Sequence, residues 1–197
     1  MGNLSHLHTP FFKDNVFYDS SKESNYGVVP LEINEDNADK ILKEAMRDGV
    51  EVQARTHGND SLRTVQCWRI NQIDSMTADI IGRQVIDLNS YFNYKLSGIQ
   101  DIQYLEYHAQ ERANYDWHID IGDGVSGMRK ISISYVLNDG FEGGDLQFFG
   151  DGGNVITVNS TRNKLVGFTS FFHHRVTPVT KGIRKVLVCW VLGEQWR

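Results

Sequence analysis

Residues 129–149 read RKISISYVLNDGFEGGDLQFF, and their pattern decides the fold. Ile131 and Ile133 alternate with Ser132 and Ser134, the period of two expected of a strand that buries one face. Asn138-Asp139-Gly140 is turn chemistry, and Gly144 to Gly150 (GDLQFFG) reads as the next strand. The same grammar fills the chain from Gly98 onward. IQYLEYH (102–108), YDWHID (115–120), NVITVNS (154–160), KLVGFTS (164–170) and IRKVLVCWVLG (183–193) are short strand-like runs separated by Gly, Asp and Asn.

Upstream the period changes. In NEDNADKILKEAMRDG (34–49), Ile41, Leu42, Ala45 and Met46 fall on one helical face, acidic residues occupy the first turn, and Gly49 is the stop. SMTADIIGRQVIDLNSYFNYKL (75–96) reads as a second helix carrying Ile80, Ile81, Leu88 and Phe92. VVPLEI (28–33), EVQART (51–56) and RTVQCWRI (63–70) are strands around these helices, with HGNDSL (57–62) as a loop. Helices first and a run of short antiparallel strands after them predict an α+β fold, the strands rolled into a double-sheet barrel or jelly roll and the helices buttressing one sheet.

The chain has 197 residues, 40% of them hydrophobic, which suits one well-filled core. A single domain is expected, with an arm (1–27), a helical buttress with flanking strands (28–97) and a β-rich core (98–197). The formal net charge is -5, from 20 Lys plus Arg against 25 Asp plus Glu. That balance lacks the basic footprint of a nucleic-acid or anionic-membrane partner. No apolar run approaches a membrane span, and the N-terminal stretch lacks a signal-peptide pattern, so a soluble cytosolic protein is expected. Cys67 and Cys189, the only cysteines, lie in apolar runs and read as buried free thiols. Any metal here needs nitrogen and oxygen ligands.

Such ligands are available. His118 and Asp120 are two residues apart, so on a strand they share a face while Ile119 points away. By itself a His-x-Asp pair is more often a surface pair than a metal site. Downstream, FTSFFHHRVTPVTKGIRKVLVCW (168–190) offers the adjacent histidines His173 and His174. A third ligand from this pair would complete a two-histidine, one-carboxylate face, the arrangement favoured by non-haem iron(II), though histidine and aspartate also suit zinc. Arg184 separates the two. It shares a strand face with Val186, Val188 and Trp190, so an interior guanidinium would need a partner such as a ligand carboxylate. Charge counting agrees: iron(II) with one aspartate is singly positive, a chelating dicarboxylate makes it singly negative, and Arg184 restores neutrality.

With these motifs in view, the segment from Tyr104 to Trp190 resembles the catalytic core of iron(II)- and 2-oxoglutarate-dependent oxygenases of the prolyl 4-hydroxylase type. It is most similar to the small bacterial and phage PKHD-type hydroxylases. YHAQERANYDWHID, RKISISYVLNDGFEGGDLQFF and FTSFFHHRVTPVTKGIRKVLVCW carry the resemblance, in the family's order. It implies a double-stranded β-helix, a jelly-roll of the cupin-like kind. It also implies His118, Asp120 and His174 as iron ligands, His174 being chosen because it directly precedes Arg175-Val176-Thr177-Pro178. His173 then faces the other way.

The resemblance further implies that Arg184 holds the distal carboxylate of 2-oxoglutarate, that Tyr107 hydrogen-bonds this cosubstrate, and that Ser132 and Ser134 assist Arg184. Tyr115, Arg129 and Trp190 become candidates for the substrate pocket. The glycines of Glu142-Gly143-Gly144-Asp145-Leu146 are expected to serve a backbone conformation closed to other residues. The implied reaction consumes O2 and 2-oxoglutarate, hydroxylates an unactivated C–H bond and releases succinate and CO2, with ascorbate as a stimulant. A prolyl residue in a peptide or protein is the expected substrate, in a host cytoplasm if the source is viral. A free amino acid is the runner-up and a nucleobase stands behind both.

Two other classes share the residues. A cupin-like binding module would keep the barrel without chemistry. A zinc hydrolase would need a general base beside the metal, and Glu142 in its glycine turn is a poor candidate for that role. His6 and His8 form a rival same-face pair, but without a nearby carboxylate they read as part of a solvated arm.

Overall fold

The computed structural model describes residues 27–53, 64–71, 73, 75–150 and 153–196. The arm with His6 and His8, and the loop 57–62, lie outside these residues. In chain order the elements are β1 (Val28–Glu32), α1 (Asp36–Asp48), β2 (Val50–Val52), β3 (Gln66–Arg69), α2 (Met76–Phe92), β4 (Leu96–His108), β5 (Tyr115–His118), β6 (Arg129–Val136), β7 (Glu142–Gly143), β8 (Leu146–Phe149), β9 (Val155–Val158), β10 (Lys164–Thr169), β11 (His174–Val176), β12 (Val179–Lys181) and β13 (Ile183–Gly193). The strands form a seven-stranded sheet in the order β1-β10-β6-β13-β4-β3-β2, a four-stranded sheet β5-β11-β8-β9 and the pair β12-β7. All pairings are antiparallel. This is the jelly-roll core with supporting helices that the strand grammar predicts.

The alternation of side chains across the large sheet creates two cores. On one face Ile131, Ile133, Tyr135, Leu187 and Cys189 pack with Ile102 and Tyr104 against Ile41, Ile81, Leu88 and Phe92 of the two helices. On the other, Leu105, Tyr107, Phe168 and Val186 meet Leu146, Phe148 and Val176 of the four-stranded sheet. Gly167 of β10 sets the helix layer close. A Cβ there would stand 2.4 Å from Leu88 Cδ2, so the missing side chain is the space that Leu88 fills.

Each helix has a local reason for its ends. Asn34 Oδ1 accepts from the Asp36 N–H at 2.9 Å before α1, and Ser75 Oγ accepts from the Ala78 N–H at 3.0 Å at the start of α2. The second helix stops at Asn93, whose φ of 54° is left-handed, and not at Leu96, which already opens β4. The stripe expected on α1 also shifts. Ile41 and Ala45 are buried, but Met46 is 76% exposed. It lies roughly 140° around the helix from Ile41, beyond the arc that meets the sheet. Glu44 of α1 is buried instead, and its carboxylate accepts from the N–H groups of Met76 and Thr77 and from the Thr77 hydroxyl, tying α1 to the N-terminus of α2.

Candidate metal centre and its cleft

His174 pairs directly with His118 across β11 and β5, so the two imidazoles arise from adjacent strands at one level. Asp120 follows β5, and its backbone N–H is held by the Ser170 carbonyl at 2.9 Å. One ligand-capable atom from each of His118, Asp120 and His174 lies within 4.8 Å of the others, a set that could hold a metal ion. His118 Nε2 is 3.6 Å from Asp120 Oδ1, and His174 Nε2 is 3.6 Å from Asp120 Oδ2. The opposite ring nitrogens are committed. His118 Nδ1 is 2.7 Å from the Asp116 carbonyl and His174 Nδ1 is 2.9 Å from the Phe172 carbonyl, so each Nδ1 donates its proton there and each Nε2 lone pair faces the common point.

The environment keeps this trio in shape. Tyr115 stacks on His118 with ring centroids 3.4 Å apart, and Phe168 packs edge-on to His174 at 4.6 Å. Burial raises the Asp120 pKa, but the attraction of His174 and His118 when protonated in the metal-free site, and hydrogen bonds from Ser132 and Trp190, outweigh it. The carboxyl is held below its ordinary range and stays ionised.

Ser132 donates from Oγ to Asp120 Oδ2 at 2.6 Å, and its oxygen is 3.0 Å from Ser170 Oγ. That departs from the expectation that Ser132 assists Arg184. Ser132 pairs with Trp190 on β13, six residues along that strand from Arg184, so the register carries its hydroxyl to the aspartate. Ser134, one alternation further, lines the cleft. His173 is exposed, with its ring against Phe149 and away from the trio.

Arg184 is 1% exposed, and its Nε, Nη1 and Nη2 have no hydrogen-bond partner among the described residues. The guanidinium lies 5.4 Å from the Tyr107 ring centroid. Burial lowers its pKa from the ordinary arginine value, yet an arginine stays protonated in proteins, so a charge stands here attracted by Asp145 but with no ion pair among the described residues. The turn beneath it is built around glycine. Gly143 and Gly144 have φ of 73° and 68°, and a Cβ on Gly144 would meet Arg184 Cδ at 2.6 Å. The guanidinium borders a pocket of about 270 Å³ with Gly144, Asp145, Thr157 and Ser160.

The trio opens into a larger cleft of about 810 Å³. Tyr107, Tyr115, Arg129 and Trp190 all line it. Arg129 stacks 3.9 Å over the Trp190 ring, while its Nε donates to Gln100 Oε1 and its Nη1 to the Asp120 carbonyl. Sequence reasoning missed the far wall, where Arg69, Asp101 and Gln103 stand. Arg69 and Cys67 share a strand face, which places the arginine on the cleft side, but no motif marks it.

The donor set has two nitrogens, one carboxylate and no thiolate, and both histidines are held in the metal-ready tautomer. The guanidinium adds an anion site with no hydrogen-bond partner on it among the described residues. These residues therefore fit a divalent metal together with a carboxylate-bearing chelator.

Comparison with known proteins agrees with this geometry. Residues 102–192 match the family model of the 2OG-Fe(II) oxygenase superfamily. A PKHD-type hydroxylase of Synechococcus sp. strain CC9605 is 32% identical over 80 residues, covering 40% of this chain and 36% of that protein, so the match spans about a third of the relative's length. A crystal structure of a Pseudomonas putida prolyl-4-hydroxylase superposes with a TM-score of 0.69 at 22% identity, covering 86% of this chain and 94% of that one. A Trichoplax adhaerens prolyl hydroxylase, solved with a hypoxia inducible factor oxygen degradation domain peptide fragment, gives 0.67 at 17% identity over 84% and 83% of the two chains. These likenesses show the fold. Among the described residues no helix is long and apolar enough to cross a membrane.

Proposed function

We propose that this chain, whose residues 102–192 match the family model of the 2OG-Fe(II) oxygenase superfamily, is an iron(II)- and 2-oxoglutarate-dependent dioxygenase that hydroxylates a prolyl residue in a peptide or protein. The observation that carries the reading is the buried Arg184 guanidinium, with all three nitrogens unpartnered among the described residues, in the same fold as a two-histidine, one-aspartate face. A binding module that needs no dicarboxylate has no use for such a charge. A zinc hydrolase needs a general base, and among the described cleft-lining residues Asp101 and Asp120 are the only carboxylates, the first ion-paired and the second a metal ligand in this reading.

Iron(II) and 2-oxoglutarate would supply the chemistry, an oxidative decarboxylation with O2 that yields succinate, CO2 and a hydroxylated carbon. The chain's own part is positioning. His118, Asp120 and His174 would hold the metal beside the cleft that they line. Arg184 would grip the distal carboxylate, with Tyr107 beside it as a hydroxyl donor. Ser132 fixes the Asp120 oxygen that faces away from His118. Tyr115 and Trp190 give apolar walls suited to a proline ring, and Arg129 is locked against Trp190 at their edge. Ascorbate is expected to restore activity lost when the metal is oxidised in unproductive cycles. A free amino acid is the second candidate substrate.

The test needs no substrate. Anaerobic addition of iron(II) and then 2-oxoglutarate to the purified protein should produce the weak visible charge-transfer band of a chelated keto acid, lost in Asp120→Ala. Iron binding without the band would leave a metal-binding scaffold in place of the oxygenase.

A further inference from the structure

The wall of the cleft formed by β3 and β4 carries a feature that the proposed chemistry does not use. Between Val188 and Trp190 the register of β13 against β4 slips, so that Gln103 and Gln100 are the successive partners. Two β4 residues, Asp101 and Ile102, therefore stand opposite Cys189 alone, a β-bulge. Its extra residue is Asp101, with φ of 57°, a left-handed conformation rare for a residue with a side chain. The bulge lets Ile102 stay in the helix-side core and turns the neighbouring Asp101 carboxylate to the cleft. Strain of this kind persists where surrounding contacts hold it, and it clusters at ligand sites.

The contacts are present. Arg69 Nε is 2.6 Å from Asp101 Oδ1. Gln103 Nε2 donates to Asp101 Oδ2 at 3.2 Å, while the Cys67 thiol donates to Gln103 Oε1 at 3.6 Å and fixes which way that amide points. The shortest contact of Arg69 with Asp101 is thus through Nε, and its Nη1 and Nη2 donate no hydrogen bond among the described residues. The Arg69 side chain is 53% exposed at this mouth. Arg129, across the same cleft, is attracted by Asp101 too. Among the described residues, the charged ones lining the cleft are Arg69, Arg129, Asp101 and Asp120. With Asp120 committed to the metal, two cations of this set face one anion, an excess of one positive charge among them although the chain is acidic.

We propose that Arg69, held in place by Asp101, is a specificity-determining residue that receives a carboxylate of the substrate at the mouth of the cleft. The inference rests on the oxygenase reading and narrows its substrate class. The carboxylate comes either from an acidic side chain flanking the hydroxylated proline or from the carboxyl group of a free amino acid. A guanidinium whose Nε is already fixed loses little freedom when its remaining fork pairs with a carboxylate, which favours a planar two-bond contact over a loose ionic one.

The experiment offers the iron-loaded enzyme, with 2-oxoglutarate and O2, proline peptides flanked by Glu, Gln or Lys, together with free L-proline and L-prolinamide. Product is read as a gain of one oxygen by mass. In the wild type at least one carboxylate compound should be turned over about tenfold better, in kcat/KM, than its amide counterpart, the Glu-against-Gln arm reporting a peptide and the proline-against-prolinamide arm a free amino acid. Arg69→Ala should remove that preference mainly through KM, and Arg69→Glu should shift it towards the Lys-flanked peptide, a change that a merely structural role would not produce. Equal turnover of the acid and amide partners, a preference that survives Arg69→Ala, or no turnover of any carboxylate compound would overturn the proposal. The keto-acid band is recorded on the same samples. Its absence sinks the oxygenase reading itself, whereas a band with no acid preference sinks only the role of Arg69.

Discussion

A histidine becomes a useful ligand when one ring nitrogen is occupied by something else, and this distinguishes His174 from its neighbour. His174 gives its Nδ1 proton to the Phe172 carbonyl and turns Nε2 to Asp120, whereas exposed His173 rests on Phe149. His174→Ala is expected to lower iron(II) affinity by about 100-fold or more, while His173→Ala leaves it within about threefold, both read by anaerobic metal titration. The reverse order would exchange their roles. Ser132→Ala removes a 2.6 Å donor from Asp120, and the expected cost is about tenfold in metal affinity with the fold intact by circular dichroism. Arg184→Ala should weaken 2-oxoglutarate by about 100-fold, with iron affinity unchanged and Arg184→Lys in between, since the ammonium keeps the charge without the fork. Arg184 in an apolar strand could be read directly because strand alternation converts spacing into direction, whereas the His118–Asp120 spacing marked the pair although Asp120 lies beyond the end of β5 and Ile119 lines the cleft with them. Ser132 could not be placed that way. Its partner depends on the register between β6 and β13, which no local pattern encodes.

At the level of the element, turns and caps set what the residues can do. The glycine turn before β8 was legible as a special conformation, but its purpose was not, because that requires knowing that β13 brings Arg184 Cδ against Gly144. Gly144→Ala combines a left-handed φ with a 2.6 Å clash, so it should weaken 2-oxoglutarate binding more than tenfold and lower stability by about 1–3 kcal/mol, measured by calorimetric titration and by urea unfolding. The helices were found from their apolar period. What joins them was missed, since Glu44 reads as one more solvent-facing acid until α2 arrives above it. Glu44→Ala leaves the N-terminal donors of α2 without their acceptor and is expected to destabilise by about 2–3 kcal/mol in urea unfolding, with the metal titration unaffected. The β4 bulge was equally hidden, because Asp101 sits in a run that otherwise alternates as an ordinary strand.

Across the whole molecule, the parts of the proposed site are shared between two sheets that are separate in hydrogen bonding. His118 and His174 belong to the four-stranded sheet and Asp120 follows it, while Tyr107, Ser132 and Arg184 lie on the seven-stranded sheet. The buried Arg184 guanidinium has no hydrogen-bond partner among the described residues, while Asp120 is held ionised at the edge of the other sheet. A metal and a dicarboxylate bound between them would link the sheets and give the guanidinium its counter-ion, and neither ligand would find these groups gathered in the unfolded chain. Loading must then stabilise the folded state. With iron(II) and 2-oxoglutarate each near 100 times its dissociation constant, every bound ligand adds about 2.7 kcal/mol. For a chain of this size that corresponds to a rise in Tm of roughly 5–10 °C per ligand under anaerobic conditions. Asp120→Ala should abolish both increments and Arg184→Ala only the second, because Arg184 is no ligand of the metal whereas the dicarboxylate needs both the metal and the guanidinium. A second increment that survives Arg184→Ala would mean that the keto acid is held without the large sheet.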